Sequence, residues 1–230
     1  MCGRFTLTQT AAQIASAFDL ATAPPVVPRY NIAPTQPAPA VTANSETGDR
    51  EFRLFYWGLI PSWAKDIKMG ARLINARSET VAEKPSFRTA FKRRRCLIVA
   101  DGFYEWQRDA KGKQPHYFYL GDSEVPEGRS PFGFAGLWEH WESSEGDTID
   151  SCTILTTAAN DLLRPIHDRM PVILQPQDYD LWLDPTVQKP ERLQPLLRPL
   201  PAEIMGSYRV SSRMNNARID EPDCIQPIQA

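Results

Sequence analysis

Residues 96–106 read CLIVADGFYEW. Cys96–Ala100 is apolar throughout, which fits a short strand buried on both faces. Outward from it, further strands are expected at Phe52–Trp57, His116–Leu120, Phe132–Trp138 and Cys152–Thr157. Helices are fewer. Thr10 followed by AAQIASAF reads as a capped helix, with Ile14 and Phe18 recurring at i and i+4. Gln177–Leu183 and Ala202–Met205 are later helix candidates, and Arg164–His167 a helical turn. The proline-rich residues 21–40 are expected as an extended surface segment, and 121–130 and 139–150 as hairpin loops. The 21 prolines are spread along the chain, with no repeat and no clean dividing point. The expected fold is α+β: one domain over residues 1–230, dominated by antiparallel strands, partly barrel-like, with a few short helices.

A chain of 230 residues, 42% hydrophobic and 23% charged, is long enough to bury a sizeable core. No apolar run approaches the ~18 residues of a membrane span, and the N-terminus lacks the pattern of a secretory signal. Four scattered cysteines without a CxxC pair argue against a zinc knuckle or a disulfide framework. No metal or cofactor is expected, and Cys96, Cys152 and Cys224 read as core residues. The net charge of −2 hides an asymmetry: residues 1–113 carry 17 Lys+Arg against 10 Asp+Glu, residues 114–230 carry 9 against 18. A basic face suited to a polyanion is one consequence. Taken alone, the run Lys92-Arg93-Arg94-Arg95 reads as a solvated surface turn.

Cys2 is the most informative residue. Removal of Met1 would leave an α-amine and a thiol on adjacent carbons, with ordinary pKa values near ~8 and ~8.5. An aldehyde can form an imine with that amine, after which the thiol closes a five-membered thiazolidine. Taken by itself, a cysteine at position 2 is more often a small buried residue. Gly3 beside it permits close backbone approach, and Arg4 adds a fixed positive charge. Asn75 and Arg77, at i and i+2 of an extended segment, share a face and offer an amide and a phosphate ligand. Glu105, between Tyr104 and Trp106, is a carboxyl expected to be desolvated and suited to acid–base work; a plain strand-end glutamate is the other reading. His167 is a proton carrier and Arg169 a second phosphate ligand, although a lone histidine is usually structural. The aromatic, proline-rich loops at 30–36 and 56–63 could be plain core or faces for unstacked bases.

The ordered motifs MCGRF, YNIAPTQ, WGLIPSW, LINARSET, ADGFYEW, IHDRMP and NNARIDEPDCIQPI resemble the SOS response-associated peptidase family from residue 1 to about residue 228. The resemblance implies a β-rich α+β fold with a basic groove for single-stranded DNA, and covalent crosslinking to abasic sites through the N-terminal cysteine. Carried onto this chain, Cys2 is the nucleophile and Asn75 holds its amine or the opened sugar. Glu105 and His167 move protons; Arg4, Arg77 and Arg169 bind phosphates; Trp106 lines the site. Some members have two adjacent tryptophans where this chain has Ser62-Trp63-Ala64, so a base-separating wedge would rest on Trp63 alone. Self-removal of residues before the cysteine is also implied, though here only Met1 precedes it. The expected setting is the cytoplasm, nucleoid-associated if bacterial, as a monomer without membrane contact. Two other readings stay open: a thiol peptidase using Cys2 with Glu105 or His167, and a non-covalent reader of modified or single-stranded DNA.

Overall fold

A computed structural model describes residues 2–22, 26–44, 46–109, 112–121 and 129–228. Among the described residues thirteen strands form two sheets. The first sheet has the order β13 (Met205–Arg209), β8 (Gly112–Leu120), β7 (Gly102–Asp109), β1 (Phe5–Leu7), β2 (Arg29–Ile32). The second runs β11 (Arg169–Pro171), β10 (Thr148–Ala158), β4 (Arg50–Trp57), β3 (Pro37–Ala43), β6 (Arg95–Ala100), β9 (Phe132–Glu142), β12 (Ile173–Leu174). Pairing of β9 with β10 closes its central strands into a ring, which is the barrel character expected from the sequence. Antiparallel pairing prevails. The exceptions are β10 with β4 and β10 with the short β5 (Asn75–Arg77), both parallel.

The apolar run at 96–100 is a ring strand, and every residue of β6 is buried. Arg95 opens it. Its guanidinium donates to the carbonyls of Phe91, Lys92, Trp182 and Asp184, and burial brings its pKa down to about 10. Arg94 pairs with Glu139 at 2.8 Å. The basic run is therefore no simple solvated turn: two of its four cations are committed to protein partners, one of them in the core.

Helix α1 (Ala11–Phe18) begins with the capping box expected at Thr10, completed by Gln13. Its Ile14 and Phe18 are fully buried, and Phe18 stacks on Tyr179 with centroids 5.4 Å apart. The later segments are shorter than the sequence suggested. Residues 177–183 split into a 3₁₀ turn (Pro176–Asp178) and α3 (Tyr179–Leu183), after α2 (Arg88–Arg93). Ala202–Ile204 is a 3₁₀ turn, and Met205 already belongs to β13. The 139–150 loop is also shorter, because β9 and β10 continue to Glu142 and from Thr148. Most of the 121–130 loop lies outside the described residues. Residues 29–32 and 37–43 form strands with Ile32, Ala38 and Ala40 buried, so the segment is extended but not superficial. Small side chains let these strands sit inside the fold despite their prolines.

The two sheets meet in one aromatic core. Phe5 of β1 lies edge-on to Trp57 of β4 at 5.1 Å and to Phe134 of β9 at 6.0 Å. Phe103 of β7 meets Phe134 at 5.9 Å. Each fully buried phenylalanine contributes about 1.5–3 kcal/mol. The join is closed by a polar network: Asp101 accepts from the Thr6 hydroxyl at 2.5 Å and from the Thr8 amide at 2.7 Å, and Thr6 meets the Tyr117 hydroxyl at 2.9 Å. Tyr117 crosses directly over Gly102, where a Cβ would lie 2.0 Å from its hydroxyl oxygen. Gly102→Ala should therefore destabilise the fold by at least the ~1–3 kcal/mol typical of overpacking. Urea denaturation checks this, and a stability equal to that of the parent would show that Tyr117 can move aside.

Candidate active site

The chain start is part of the core rather than a loose end. Cys2 is fully buried, three residues before Phe5 of β1, which pairs with β2 on one side and β7 on the other. Asn75, on β5, donates from Nδ2 to the Cys2 carbonyl at 2.8 Å. That bond fixes the orientation of the amide, so Oδ1 faces the other way; it is buried and accepts nothing from the described residues. Parallel pairing of β5 with β10 explains how Asn75 reaches the N-terminus: Asn75 is in register with Ile154 in the ring wall.

Glu105, on β7, is 2% exposed and close enough to Cys2 to affect its titration. Burial pushes the Cys2 thiol well above the ordinary range, and the Glu105 carboxylate pushes it further. The thiol is thus held protonated at neutral pH, with a pKa above the ordinary value of ~8.5 from which the sequence reading started. Arg4 does not counter this with its guanidinium. Only its main-chain carbonyl meets the thiol, at 3.9 Å, and the side chain turns away toward the C-terminal segment. There it donates to Asn31 Oδ1 at 2.8 Å and to the carbonyls of Met214 and Asn215. Burial lowers the Arg4 pKa from its ordinary value.

A cleft of about 510 Å³ opens above this floor. Gly3, Arg4, Glu105, Trp106 and His167 line it, so five residues of the motifs at 1–5, 100–106 and 166–171 meet there. Four further lining residues were not singled out in the sequence: Pro34, Asn215, Arg108 and Lys113. Asn215 accepts from the Trp106 indole at 2.7 Å and so fixes that ring. The closing motif NNARIDEPD was the available signal for it, although its role as a clasp depends on long-range contacts. Asn31 donates to the carbonyls of Met214, Asn216 and Ile219, while Asp220 accepts from the amides of Tyr30 and Asn31.

His167 follows a turn in which its amide donates to Leu163. Its Nδ1 lies 3.0 Å from the Arg169 amide nitrogen and 2.9 Å from Asp168 Oδ1. One nitrogen cannot accept from the amide and donate to the carboxylate together. The backbone proton is fixed and Asp168 is largely exposed, which favours Nδ1 as acceptor with the ring proton on Nε2.

Five expected site residues lie outside the cleft lining: Cys2 and Asn75, joined beneath it, and Arg77, Trp63 and Arg169. Arg77 is exposed on β5, two residues from Asn75. Trp63 is 57% exposed on a loop that Gly58 sets at φ +141° and that Trp141 pins through the Ala64 carbonyl at 2.7 Å. Arg169 differs most from expectation. It forms a bidentate pair with Glu79 at 2.6 and 2.9 Å and donates to the Thr156 carbonyl, with only 15% of its side chain exposed. These bonds occupy the fork that would grip a phosphate, and the contact pulls the Glu79 carboxyl below its usual range. Among the described residues no group of three His, Cys, Asp or Glu side chains could hold a metal ion, and the four cysteines are free and buried.

This two-sheet arrangement recurs in a crystal structure of a protein from Bacteroides thetaiotaomicron, with a TM-score of 0.86, 25% identity, and coverage of 99% of this chain and 100% of that one. A family model described as SOS response associated peptidase (SRAP) matches residues 1–217, and the chain belongs to that family. It is 43% identical to the abasic site processing protein YoqW of Bacillus subtilis, over 98% of this chain and 99% of the relative. It is also 32% identical to the abasic site processing protein HMCES of Xenopus tropicalis, over 87% of this chain and 66% of that protein.

The Cys2 environment gives a direct test. Since the Glu105 carboxylate raises the thiol pKa, Glu105→Gln should lower it. The pH profile of iodoacetamide alkylation at Cys2, read by peptide mass spectrometry, should shift toward lower pH in the variant. An unchanged or upward-shifted profile would mean that burial alone sets the thiol.

Proposed function

We propose that this chain captures abasic sites in single-stranded DNA by forming a thiazolidine between Cys2 and the sugar aldehyde. The observation that carries the reading is a chain of neighbours: Asn75 bonds the Cys2 carbonyl, Glu105 acts on the Cys2 thiol, and Glu105 shares a cleft with His167. The names of the relatives, abasic site processing proteins, support the substrate class.

The reaction begins once Met1 is removed, which frees the Cys2 amine. An abasic sugar in its open form presents an aldehyde at C1′. The amine nitrogen adds to that carbon, and loss of one water leaves the imine. The thiol sulfur then bonds to the same carbon, the C=N electron pair moves to nitrogen, and the S–H proton goes to nitrogen. Aldehyde and aminothiol thus give thiazolidine and one water. Glu105 accepts a proton from the adding amine and delivers one to the departing hydroxyl. His167, with its proton on Nε2, serves the sugar oxygen during ring opening. The unoccupied acceptor of Asn75 takes a hydrogen from the amine or a sugar hydroxyl. Arg4 and Arg77 hold phosphates, Trp106 gives the base a wall, and Trp63 is an exposed ring for stacking. Arg169 acts as a positioning residue, because its amide fixes His167 and its side chain holds Glu79.

A thiol held protonated suits this order of events, since it attacks an imine and carries the proton that nitrogen needs. It suits a thiol peptidase poorly, because that chemistry relies on a thiolate with a lowered pKa. Release of the DNA retraces the same steps, so Glu105 serves both directions.

Incubation with an oligonucleotide bearing one abasic site should give a heat-stable adduct on a denaturing gel, about one protein mass above the DNA. Cys2→Ala should abolish it, and Cys2→Ser should give only an imine trapped by borohydride. A stable adduct from Cys2→Ala, or from protein retaining Met1, would overturn the chemistry. Arg77→Ala should weaken binding to DNA of any sequence and reduce the slope of log K against log salt by about one. An unchanged slope would remove Arg77 from the phosphate contacts.

A further inference from the structure

The described residues that line the cleft carry more positive charge than the capture chemistry uses. Beside Glu105, the one carboxylate among them, stand Arg108 and Lys113. They face each other across the β7–β8 hairpin, in register, and both are exposed. Alternation along β7 puts Trp106 and Arg108 on one face, and the pairing of Trp106 with Pro115 and of Arg108 with Lys113 adds Lys113 to it. Among the residues whose side chains are described, no carboxylate forms an ion pair with either cation. Like charges directly opposite destabilise a hairpin, and an anion between them would remove that repulsion.

We infer that Arg108 and Lys113 form a phosphate clamp for the DNA strand running away from the captured nucleotide. The inference rests on the proposed capture of abasic DNA at Glu105 and Cys2. Its position follows from strand geometry: Arg108 is three residues beyond Glu105 on β7, or ~10 Å at ~3.3 Å per residue. At ~3.4 Å per stacked nucleotide, the clamp meets the backbone about three nucleotides from the abasic site. Trp106, held by Asn215, lies between the two positions as a flat wall. The clamp contacts phosphate alone, so it adds affinity without sequence preference and sets a minimum length of strand on one side of the lesion.

The test uses oligonucleotides carrying a tetrahydrofuran analogue, which has no aldehyde, with one to six flanking nucleotides added on the 5′ or the 3′ side. Fluorescence anisotropy at low salt should show wild-type affinity rising about tenfold near the third nucleotide on one side only. That side gives the polarity of the bound strand. In Arg108→Ala/Lys113→Ala the ratio of long-strand to short-strand affinity should collapse toward one. The salt slope for the long strand should fall by about 0.7, the value for the one phosphate held between the two cations. Arg108→Lys/Lys113→Arg should restore the ratio, which a purely structural role of the hairpin would not require. A length step that persists in the double alanine variant, or no step in the wild type on either side, overturns the clamp. Parallel crosslinking to a true abasic site separates the two claims. A step without adduct refutes the capture chemistry and keeps the clamp, whereas adduct with a step insensitive to the variant refutes the clamp and keeps the chemistry.

Discussion

Phe5 is fully buried where the two sheets meet, wedged against Trp57 and Phe134, and the geometry of the site depends on this packing. Chain termini usually fray, because few contacts offset the entropy of fixing them. Here the residue three positions beyond Cys2 is anchored from both sheets, and Thr6 is tied to Asp101 and Tyr117. The backbone of Cys2 is held further by Asn75. The proposed nucleophile is thereby given a fixed direction, which is the main requirement of a reaction limited by orientation. The consequence is electrostatic as well. Anchoring brings Cys2 out of water and beside Glu105, and both effects keep its thiol neutral.

The opposite end of the chain completes the arrangement. Residues 214–220 have no extended strand of their own, and their carbonyls are taken up by Asn31 and Arg4. Asp220 returns the contact by accepting from two amides of β2 and pairing with Arg29. Arg4 is therefore both a cleft residue and a fastener between the first and last motifs. Its substitution should be read with that double role in mind, since a loss of DNA binding could arise from an unfastened C-terminal segment. Asn215, through Trp106, carries the same link to the cleft wall.

Much of the fold was legible because its local signals agreed. The apolar run at 96–100, the capping box at Thr10 and the aromatic strands all occur where expected. Tyr117, Phe118 and Tyr119 are consecutive buried residues, because β8 packs Phe118 against the main core and the flanking tyrosines against a second cluster. Such a strand has no simple alternation to read. Ring closure by β9 with β10, and the burial of the proline-rich strands, depend on long-range pairing that no local pattern encodes. At the site, residue types pointed to Cys2, Asn75, Glu105 and His167; the structure joins Cys2 to Asn75, sets Glu105 near Cys2, and puts Glu105 and His167 on one cleft. Charge was less legible. Arg169 was read as a phosphate ligand, but its partner Glu79 is 90 residues away in sequence. The basic run at 92–95 looked exposed, but the carbonyls that receive Arg95 belong partly to α3 and the residue after it. A cation announces its charge in the sequence and conceals its partner.

That partnering explains how a chain of net charge −2 can present a basic cleft. Four ion pairs join a cation of the basic half to an acid of the acidic half: Arg29–Asp220, Arg50–Asp180, Arg53–Asp150 and Arg94–Glu139. None of these eight residues lines the cleft. The acidic half thus neutralises cations elsewhere, while Arg108 and Lys113 at the cleft pair with no carboxylate among the described side chains. Net charge sums over the whole surface, but a phosphate within a Debye length of ~8–10 Å responds chiefly to the charges beside it. The asymmetry along the sequence becomes a local field in space, because the four pairs between the halves all lie away from the cleft where the polyanion is proposed to bind.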